Sequence, residues 1–363
     1  MKNRNVSVAT TSNEQASSAR RNAIIDIHVL QTLPPNCANR DDKGSPKTAV
    51  YGGVTRARIS SQAIKAAVRK YFEEKYGEEW VGKRTKMIAK MVADEIRRIA
   101  PDMDAEKEAE KIYDYVGKPE KEKDKTAALV FISPAQAKAV ASLIAEGSTD
   151  KKAFNKALNE NPTVDMALFG RMVATNASLK YDAAVQVAHA ISTHAVSNEY
   201  DYFSALDDFE ECSNAAHLDT SEFNSSTMYR YANVNVGELH EYLGEMTAEA
   251  VAGFITAFIK AMPSGKNHSF ANATLPYMVY ITIRDDAPIS FADAFEKPVI
   301  NSNGGFADNS EVAFCRRVKE VYENYGNDPV KAFGFGRHVT EIAEKASLPE
   351  LAARVEDWIN TEM

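Results

Sequence analysis

Three observations on the 363-residue sequence predict an α+β fold. A strand-like segment at 24–30 is followed by an amphipathic helix from residue 62. Two further strand-like segments, 228–236 and 278–284, flank a second strongly periodic helix. Between the two halves runs a Lys/Glu/Ala-rich stretch of different texture, from about Glu78 to Asn161. The order is β-α-insertion-β-α-β. It matches a ferredoxin-like or RNA-recognition-motif sheet with two helices on one face, once one more strand is granted.

In chain order, Ile25, Ile27 and Val29 alternate with Asp26, His28 and Leu30, the pattern of a half-buried strand. Residues Gly52 to Ile59 are the candidate for the missing strand. Ser60-Ser61 offers an N-cap to the helix from Gln62 to Tyr76, whose stripe Ile64, Ala67, Val68 and Tyr71 is apolar. Breakers at Pro101, Gly117, Pro119, Pro134 and Gly147 divide the insertion into short helices. After the strand from Met228 to Val236, Thr247 reads as the N-cap of a helix carrying Val251, Phe254, Ile255, Phe258 and Ile259, stopped by Pro263 and Gly265. Met278 to Arg284 is the next strand. The C-terminal stretch shows helical patterns at Glu311–Tyr325, Thr340–Lys345 and Leu348–Ile359, and Gly334-Phe-Gly-Arg337 reads as a turn.

Charge is segregated. From Arg40 to Lys70 there are eight basic residues (Arg40, Lys43, Lys47, Arg56, Arg58, Lys65, Arg69, Lys70) against Asp41 and Asp42, in a chain of formal net charge −8. That is the footprint of a local phosphate-backbone groove, while a sequence pI near 5.5 excludes indiscriminate binding to polyanions. Gly44-Ser45-Pro46 and Gly52-Gly53 supply backbone able to approach a ligand closely. Gln62, Lys65 and Arg69 share one face of the helix, where hydroxyls, free N–H groups and long donors suit a chain of phosphates.

Other classes are disfavoured. No run of about 18 apolar residues suggests a membrane span, and residues 1–22 lack the apolar core of a secretory signal and read as a flexible tail. Cys37, Cys212 and Cys315 show neither disulfide nor zinc spacing, so a reducing cytoplasm is the expectation. His189 and His194, read as lying near the end of a helix, are five apart and lack a third ligand, so neither a metal nor a cofactor is expected. Asp41-Asp42 in a glycine-containing loop could instead hold a divalent ion and cut RNA. Two alternatives therefore stand: a metal-dependent endoribonuclease centred on that pair, and a stand-alone single-strand RNA-binding protein.

The strings Asn39-Arg-Asp-Asp42, Gly52-Gly53, Arg56-Ala-Arg-Ile-Ser-Ser-Gln-Ala-Ile-Lys65, Ala188-His-Ala-Ile-Ser-Thr-His-Ala195, Asp201-Tyr-Phe-Ser-Ala-Leu-Asp-Asp208, Tyr229-Arg-Tyr-Ala-Asn-Val-Asn235 and Phe291-Ala-Asp-Ala-Phe-Glu-Lys297 occur in that order. Together they resemble the backbone subunit, the CasC family, of the type I-E CRISPR surveillance complex, Cascade. The resemblance covers roughly Ile24 to Lys297. It implies a modified RNA-recognition-motif palm at 23–77 and 227–363, joined through 188–195, with a helical fingers insertion at 78–187 and a β-hairpin thumb at 196–226.

By the same resemblance, a non-catalytic protein polymerises head to tail along guide RNA beside the other Cascade subunits and presents guide bases for pairing with target DNA in antiviral defence. Arg40, Lys47, Arg56, Arg58, Ser60, Gln62, Lys65 and Arg69 would hold RNA. In Gly170-Arg-Met172, Arg171 would lie along the guide and Met172 wedge against a base, although a methionine also commonly fills a core gap. Phe203 and Ser204 of the thumb would displace a base, and Lys151, Lys152 and Lys156 would touch duplex DNA through its phosphates. Relatives often carry Lys or Arg after the Gly-Gly pair, where this chain has Val54.

Overall fold

The computed structural model describes residues 23–119, 125–173, 176–206, 215–301 and 304–363, so the N-terminal tail and the thumb residues 207–214 lie outside the described residues. Strand β1 (Ile24–Asn36) leads through a loop into the hairpin of β2 (Thr48–Tyr51) and β3 (Val54–Ile59) and then helix α1 (Ser61–Tyr76). The insertion carries β4 (Lys83–Thr85), α2 (Ile88–Ile99), the short α3 (Ala105–Ala109) and α4 (Tyr113–Val116), β5 (Val130–Ile132), α5 (Pro134–Ala145), α6 (Lys151–Asn159) and α7 (Val164–Phe169). The chain re-enters the main sheet through β6 (Val185–Val187) and β7 (Ala190–Ser192). It runs out and back along β8 (Glu199–Leu206) and the 21-residue β9 (Ala215–Asn235). Then follow α8 (Val236–Leu243), α9 (Thr247–Lys260), α10 (Asn267–Phe270), β10 (Met278–Arg284), α11 (Ala307–Tyr325), β11 (Lys331–Phe335), β12 (Glu344–Lys345) and α12 (Leu348–Glu362).

Among the described residues the large sheet has the order β12-β11-β10-β1-β9-β7-β3-β2, with β6 and β8 also pairing to β9. All its pairings are antiparallel except β11 with β12. The fold is thus α+β around a mixed sheet; Val54–Ile59 is a strand, β3, but it pairs with β7, and it is β6 and β7 that pair with β9.

One face of β1 (Ile25, Ile27, Val29) packs with Ile64, Val68 and Phe72 of α1, Phe254 and Phe258 of α9, and Leu351 and Val355 of α12. The other face joins a second core of Tyr229, Tyr231, Tyr280, Phe291, Phe295 and Phe314, closed by α11. This corrects the half-buried reading of β1: every residue from Ile24 to Gln31 is buried, including Asp26 and His28. The insertion has a core of its own, with Ile88, Val92, Ile96, Val140, Ile144 and Phe154 at its centre. Helix α7 instead packs Val164, Leu168 and Phe169 into the main core.

Four local readings change. His189 and His194 flank the short sheet strand β7 rather than end a helix. Thr340–Lys345 forms a single 3-10 turn (Val339–Glu341) and then β12. Gly334 and Phe335 belong to β11, where a Cβ on Gly334 would lie 2.6 Å from the Val279 carbonyl oxygen. Thr247 is the first helical residue of α9, its hydroxyl donating to the Gly244 carbonyl at 2.6 Å.

Candidate nucleic-acid interface

The basic segment folds into a loop, a hairpin and a helix start tied to one another. Asn39 anchors all three: its side chain accepts from the Ser60 N–H (2.9 Å), and its carbonyl accepts from the Lys47 N–H (2.8 Å). The Asp41 carboxylate accepts from the Lys43 and Ser45 N–H groups at 2.9 and 3.0 Å. Ser45 in turn donates to Glu222 of β9 at 2.9 Å. Asp41 is thus engaged in shaping the loop, and no group of three or more metal-ligating side chains gathers among the described residues. Arg40 and Lys43 stand exposed on this loop, with Lys47 partly so.

The β2–β3 turn is made by Gly52 and Gly53 at φ +58° and +77°, a left-handed pair that glycine adopts without penalty. Gly52 does not face a ligand, contrary to expectation. A Cβ there would sit 1.7 Å from the Glu296 carbonyl oxygen, so the close approach is to the protein's own backbone. Val54 begins β3 beside this turn.

Helix α1 starts where Ser60, itself buried, accepts from the Ala63 N–H at 3.4 Å. The Ser60 hydroxyl is therefore engaged as a cap, while Gln62 is exposed. One turn further, Lys65 places its ammonium 5.6 Å from the Phe169 ring centre. Arg69 donates to Asp165 at 2.6 Å and to the Gly82 carbonyl at 2.8 Å. The Arg69 and Arg84 guanidinium carbons lie 5.2 and 4.6 Å from the Phe131 ring centre. Asp165 is fully buried and also accepts from the Gly82 N–H (2.9 Å) and the Thr163 hydroxyl (2.6 Å), leaving it little capacity for further donors.

Arg69 and Arg84 therefore crowd together at the Phe131 ring beside one carboxylate that is already engaged, and Lys65 feels the charge of Arg84. Burial first, and then the Arg84 charge, lower the Lys65 pKa. Burial and then Arg69 lower that of Arg84, with Asp165 acting the other way. Such crowding of like charge favours an incoming anion. Sequence reasoning missed Arg84. It lies outside the basic run and reaches α1 only because β4 pairs with β5, setting Arg84 opposite Phe131.

A second basic group sits on β3. Arg58 donates to the Thr48 carbonyl at 3.0 Å and meets the His189 Nδ1 at 3.1 Å. Burial, then Arg58 and Lys47, keep the exposed His189 ring below its ordinary pKa.

Two expected RNA contacts are corrected. Arg56 is 0% exposed and donates to the backbone carbonyls of Tyr51, Ser192, Phe295 and Glu296. Arg171, 4% exposed, donates to the carbonyls of Phe131, Leu158 and Leu179 and to Gln136 and Asn159, and stands 4.5 Å from the Tyr181 ring centre. Both guanidinium groups staple backbone inside the protein and are closed to a phosphate. Met172, by contrast, is 81% exposed beside Arg171 and fills no core gap.

On the β8–β9 hairpin Phe203 and Ser204 are exposed, as are Tyr200 and Tyr202. Lys151, Lys152 and Lys156 are exposed on α6, the last 3.6 Å from Glu160. His194 has both ring nitrogens engaged, Nδ1 with the Ala195 carbonyl and Nε2 with the Thr227 N–H, and stacks on Phe306 at 3.6 Å. It has no nitrogen left for a metal.

The fold is α+β around a mixed sheet with a basic rim, and comparison with known proteins narrows the class. A chain of the structure described as "CRISPR RNA-guided surveillance complex, pre-nicking" shares 31% identity with this protein at a TM-score of 0.79, covering 92% of this chain and 99% of its own. A chain of a second "CRISPR RNA-guided surveillance complex" shares 28% identity at a TM-score of 0.63, covering 91% and 99%. The model of the CT1975-like protein family matches residues 25–361, and the chain belongs to that family. Comparison with curated proteins gave no match.

Proposed function

We propose that this protein is the guide-RNA-binding backbone subunit of a cytoplasmic type I-E Cascade complex. In that role it assembles head to tail along the RNA with the other Cascade subunits, leaves the guide bases free to pair with target DNA, and does no chemistry itself. Base pairing then reads the target, as in RNA-guided recognition generally. Family membership and the two surveillance-complex likenesses support the setting. The observation that carries the RNA assignment is the Lys65–Arg69–Arg84 cluster, three like charges of which only Arg69 is paired with a carboxylate, Asp165, that is already satisfied.

The strand order β10-β1-β9, continued through β7 to β3, with α1 and α9 on one face, supports a ferredoxin-like palm. In ordinary RNA-recognition motifs the opposite face stacks bases. Here Tyr229, Tyr231 and Tyr280 on that face are buried under α11, so the grip falls to the rim and its phosphate contacts.

Salt titration of RNA binding tests this. Lys65→Ala and Arg84→Ala should each weaken binding alike across sequences and flatten the slope of log K against log salt by about 0.7. Arg69→Ala should also lower stability, because it leaves Asp165 buried without its cation. Unchanged slopes in both of the first two variants would refute the assignment. RNA cleaved in magnesium by the wild type but not by an Asp41→Ala, Asp42→Ala variant would favour the nuclease.

The hairpin reading has its own check. Among the described residues Tyr200, Tyr202 and Phe203 are 68%, 66% and 43% exposed, the two tyrosines on one face of the strand and Phe203 on the other. Phe203→Ala should therefore change monomer stability by less than about 0.5 kcal/mol, in line with surface substitutions. It should reduce assembly on RNA, measured by sedimentation. A large drop in the monomer's melting temperature would place Phe203 in its own subunit's core instead.

A further inference from the structure

Arg58 and His189 are joined by a contact that only one protonation state of the imidazole permits. Ile59 pairs with Ala190, so Arg58 on β3 and His189 just before β7 are diagonal neighbours across the two strands. The Arg58 Nη1 lies 3.1 Å from the His189 Nδ1. A guanidinium only donates, so Nδ1 is the acceptor and the single proton of the ring sits on Nε2. A second proton, on Nδ1, would set donor against donor and break the contact. The paired form of His189 is therefore the neutral one.

Its surroundings favour that form. Burial, then the charges of Arg58 on β3 and Lys47 on the loop before β2, lower the His189 pKa, and no carboxylate opposes them. Arg230 on the neighbouring β9 is turned away, donating to the Phe258 and Ile259 carbonyls of α9. Lys47 is tied directly to β3, its carbonyl accepting from the Arg58 N–H at 2.9 Å. Arg69 has Asp165, but among the described residues neither Lys47 nor Arg58 has a carboxylate partner. His189 is exposed, and Arg58 and Lys47 partly so. The Arg58 Nη2 and the His189 Nε2 donate to none of the described residues. Spare donors and uncompensated charge thus share one exposed place.

Resting on the RNA-binding reading above, we propose that Lys47, Arg58 and His189 form a phosphodiester site in which Arg58 leaves His189 for the phosphate and His189 takes up a proton from solvent at the Nδ1 so freed. The phosphate oxygens accept from Lys47, from Arg58 and from the His189 Nε2–H. Once the ring is cationic, three charges rather than two hold the anion. The anion in turn favours the protonated ring. RNA binding and proton uptake therefore strengthen each other by the same factor in either direction. Every nucleotide carries the phosphodiester, so the linkage does not depend on the guide sequence.

The experiment measures oligouridylate binding to the full chain at pH 6 and pH 8 at one ionic strength, where the RNA itself keeps a single protonation state. Binding should be about threefold to tenfold tighter at pH 6, since a one-unit rise of the ring's pKa on binding amounts to at most about tenfold. His189→Gln keeps an N–H donor but cannot gain a proton, and it should bind equally at the two pH values. Calorimetry on the wild type in two buffers of different ionisation enthalpy should show net proton uptake at pH 7. Equal wild-type affinities at the two pH values, or a pH response that persists in His189→Gln, would overturn the site while leaving the grip of Lys65 and Arg84 standing. If RNA binds at neither pH, the His189 ring is titrated by NMR in sulfate and in chloride of equal ionic strength. A titration midpoint raised by sulfate in the wild type but not in Arg58→Ala keeps the anion site and removes the RNA reading. No such rise removes both.

Discussion

Replacing Arg56 by Ala is expected to cost about 3–5 kcal/mol of folding stability while leaving the salt dependence of RNA binding untouched. The guanidinium lies inside the protein, where Nε donates to the Tyr51 carbonyl at 3.1 Å, Nη1 to Ser192 at 2.9 Å, and Nη2 to Phe295 at 2.8 Å and Glu296 at 3.3 Å. One side chain thus binds the β2–β3 turn, β7 and the 292–296 segment together. A hydrogen bond to a charged group contributes about 1.5–3 kcal/mol, and truncation leaves several buried carbonyls without a donor. Burial lowers the Arg56 pKa, with Tyr51 and Glu296 opposing the fall. Arg56→Lys should recover little, because a single ammonium cannot reach carbonyls spread around a planar fork. Arg58→Ala, two residues along on a partly exposed site, should cost less than about 1 kcal/mol and should reduce the salt slope if that side chain meets phosphate. Denaturant unfolding of the three variants decides the matter. An Arg56→Ala protein of normal midpoint and reduced slope would put this residue back at the interface.

Arg56 also marks the boundary of what was legible. The Ser60 cap, the stripes of α1, the apolar ladder of α9 and the bounds of β10 are local signals, and each appears where the sequence predicts an element. The charge segregation pointed to the segment whose Lys65 and Arg69 gather near Arg84. A count of charges, however, cannot separate a guanidinium that binds phosphate from one that binds carbonyls. Arg56 was misread for that reason, since its acceptors Ser192, Phe295 and Glu296 lie far along the chain, and the resemblance carried Arg171 over with nothing to show its inward acceptors. Gly52 was misread likewise, because its close neighbour is Glu296, 244 residues downstream. Alternation in β1 reports one covered face only. The second cover, α11, begins at residue 307, so Asp26 and His28 looked solvent-facing.

Those two buried residues should make stability depend on pH in opposing directions. His28 is 0% exposed, its Nδ1 2.9 Å from the Tyr229 hydroxyl, its ring 5.0–5.6 Å from Tyr231, Tyr280, Phe291 and Phe314. Burial, and then the charge of Arg284, push its pKa down to about 3. Asp26, two residues earlier, accepts from the Tyr231 hydroxyl at 2.7 Å and the Ile289 N–H at 3.1 Å. Burial nevertheless raises its pKa to about 6, those hydrogen bonds and Arg284 opposing the rise and Asp286 adding to it.

As pH falls from 6.5 towards 3, the unfolded chain protonates His28 and the folded chain does not, so stability is lost. As pH falls from 6 towards 3.8, the folded chain takes up a proton at Asp26 that the unfolded chain does not, so stability is gained. At 1.36 kcal/mol per unit, the His28 loss is about 5 kcal/mol and the Asp26 gain about 3 kcal/mol, each an upper figure. Between pH 6 and 4 the two nearly cancel in the wild type. Asp26→Asn removes the gain and should deepen the loss from pH 7 to pH 4 by about 3 kcal/mol relative to wild type. His28→Phe, which suits the aromatic surroundings, removes the loss and should shift the acid-unfolding midpoint downward. Urea unfolding at pH 7, 5.5 and 4 measures both, and background titrations cancel in the comparison with wild type. Parallel stability curves for all three proteins would show that neither group changes its protonation on folding.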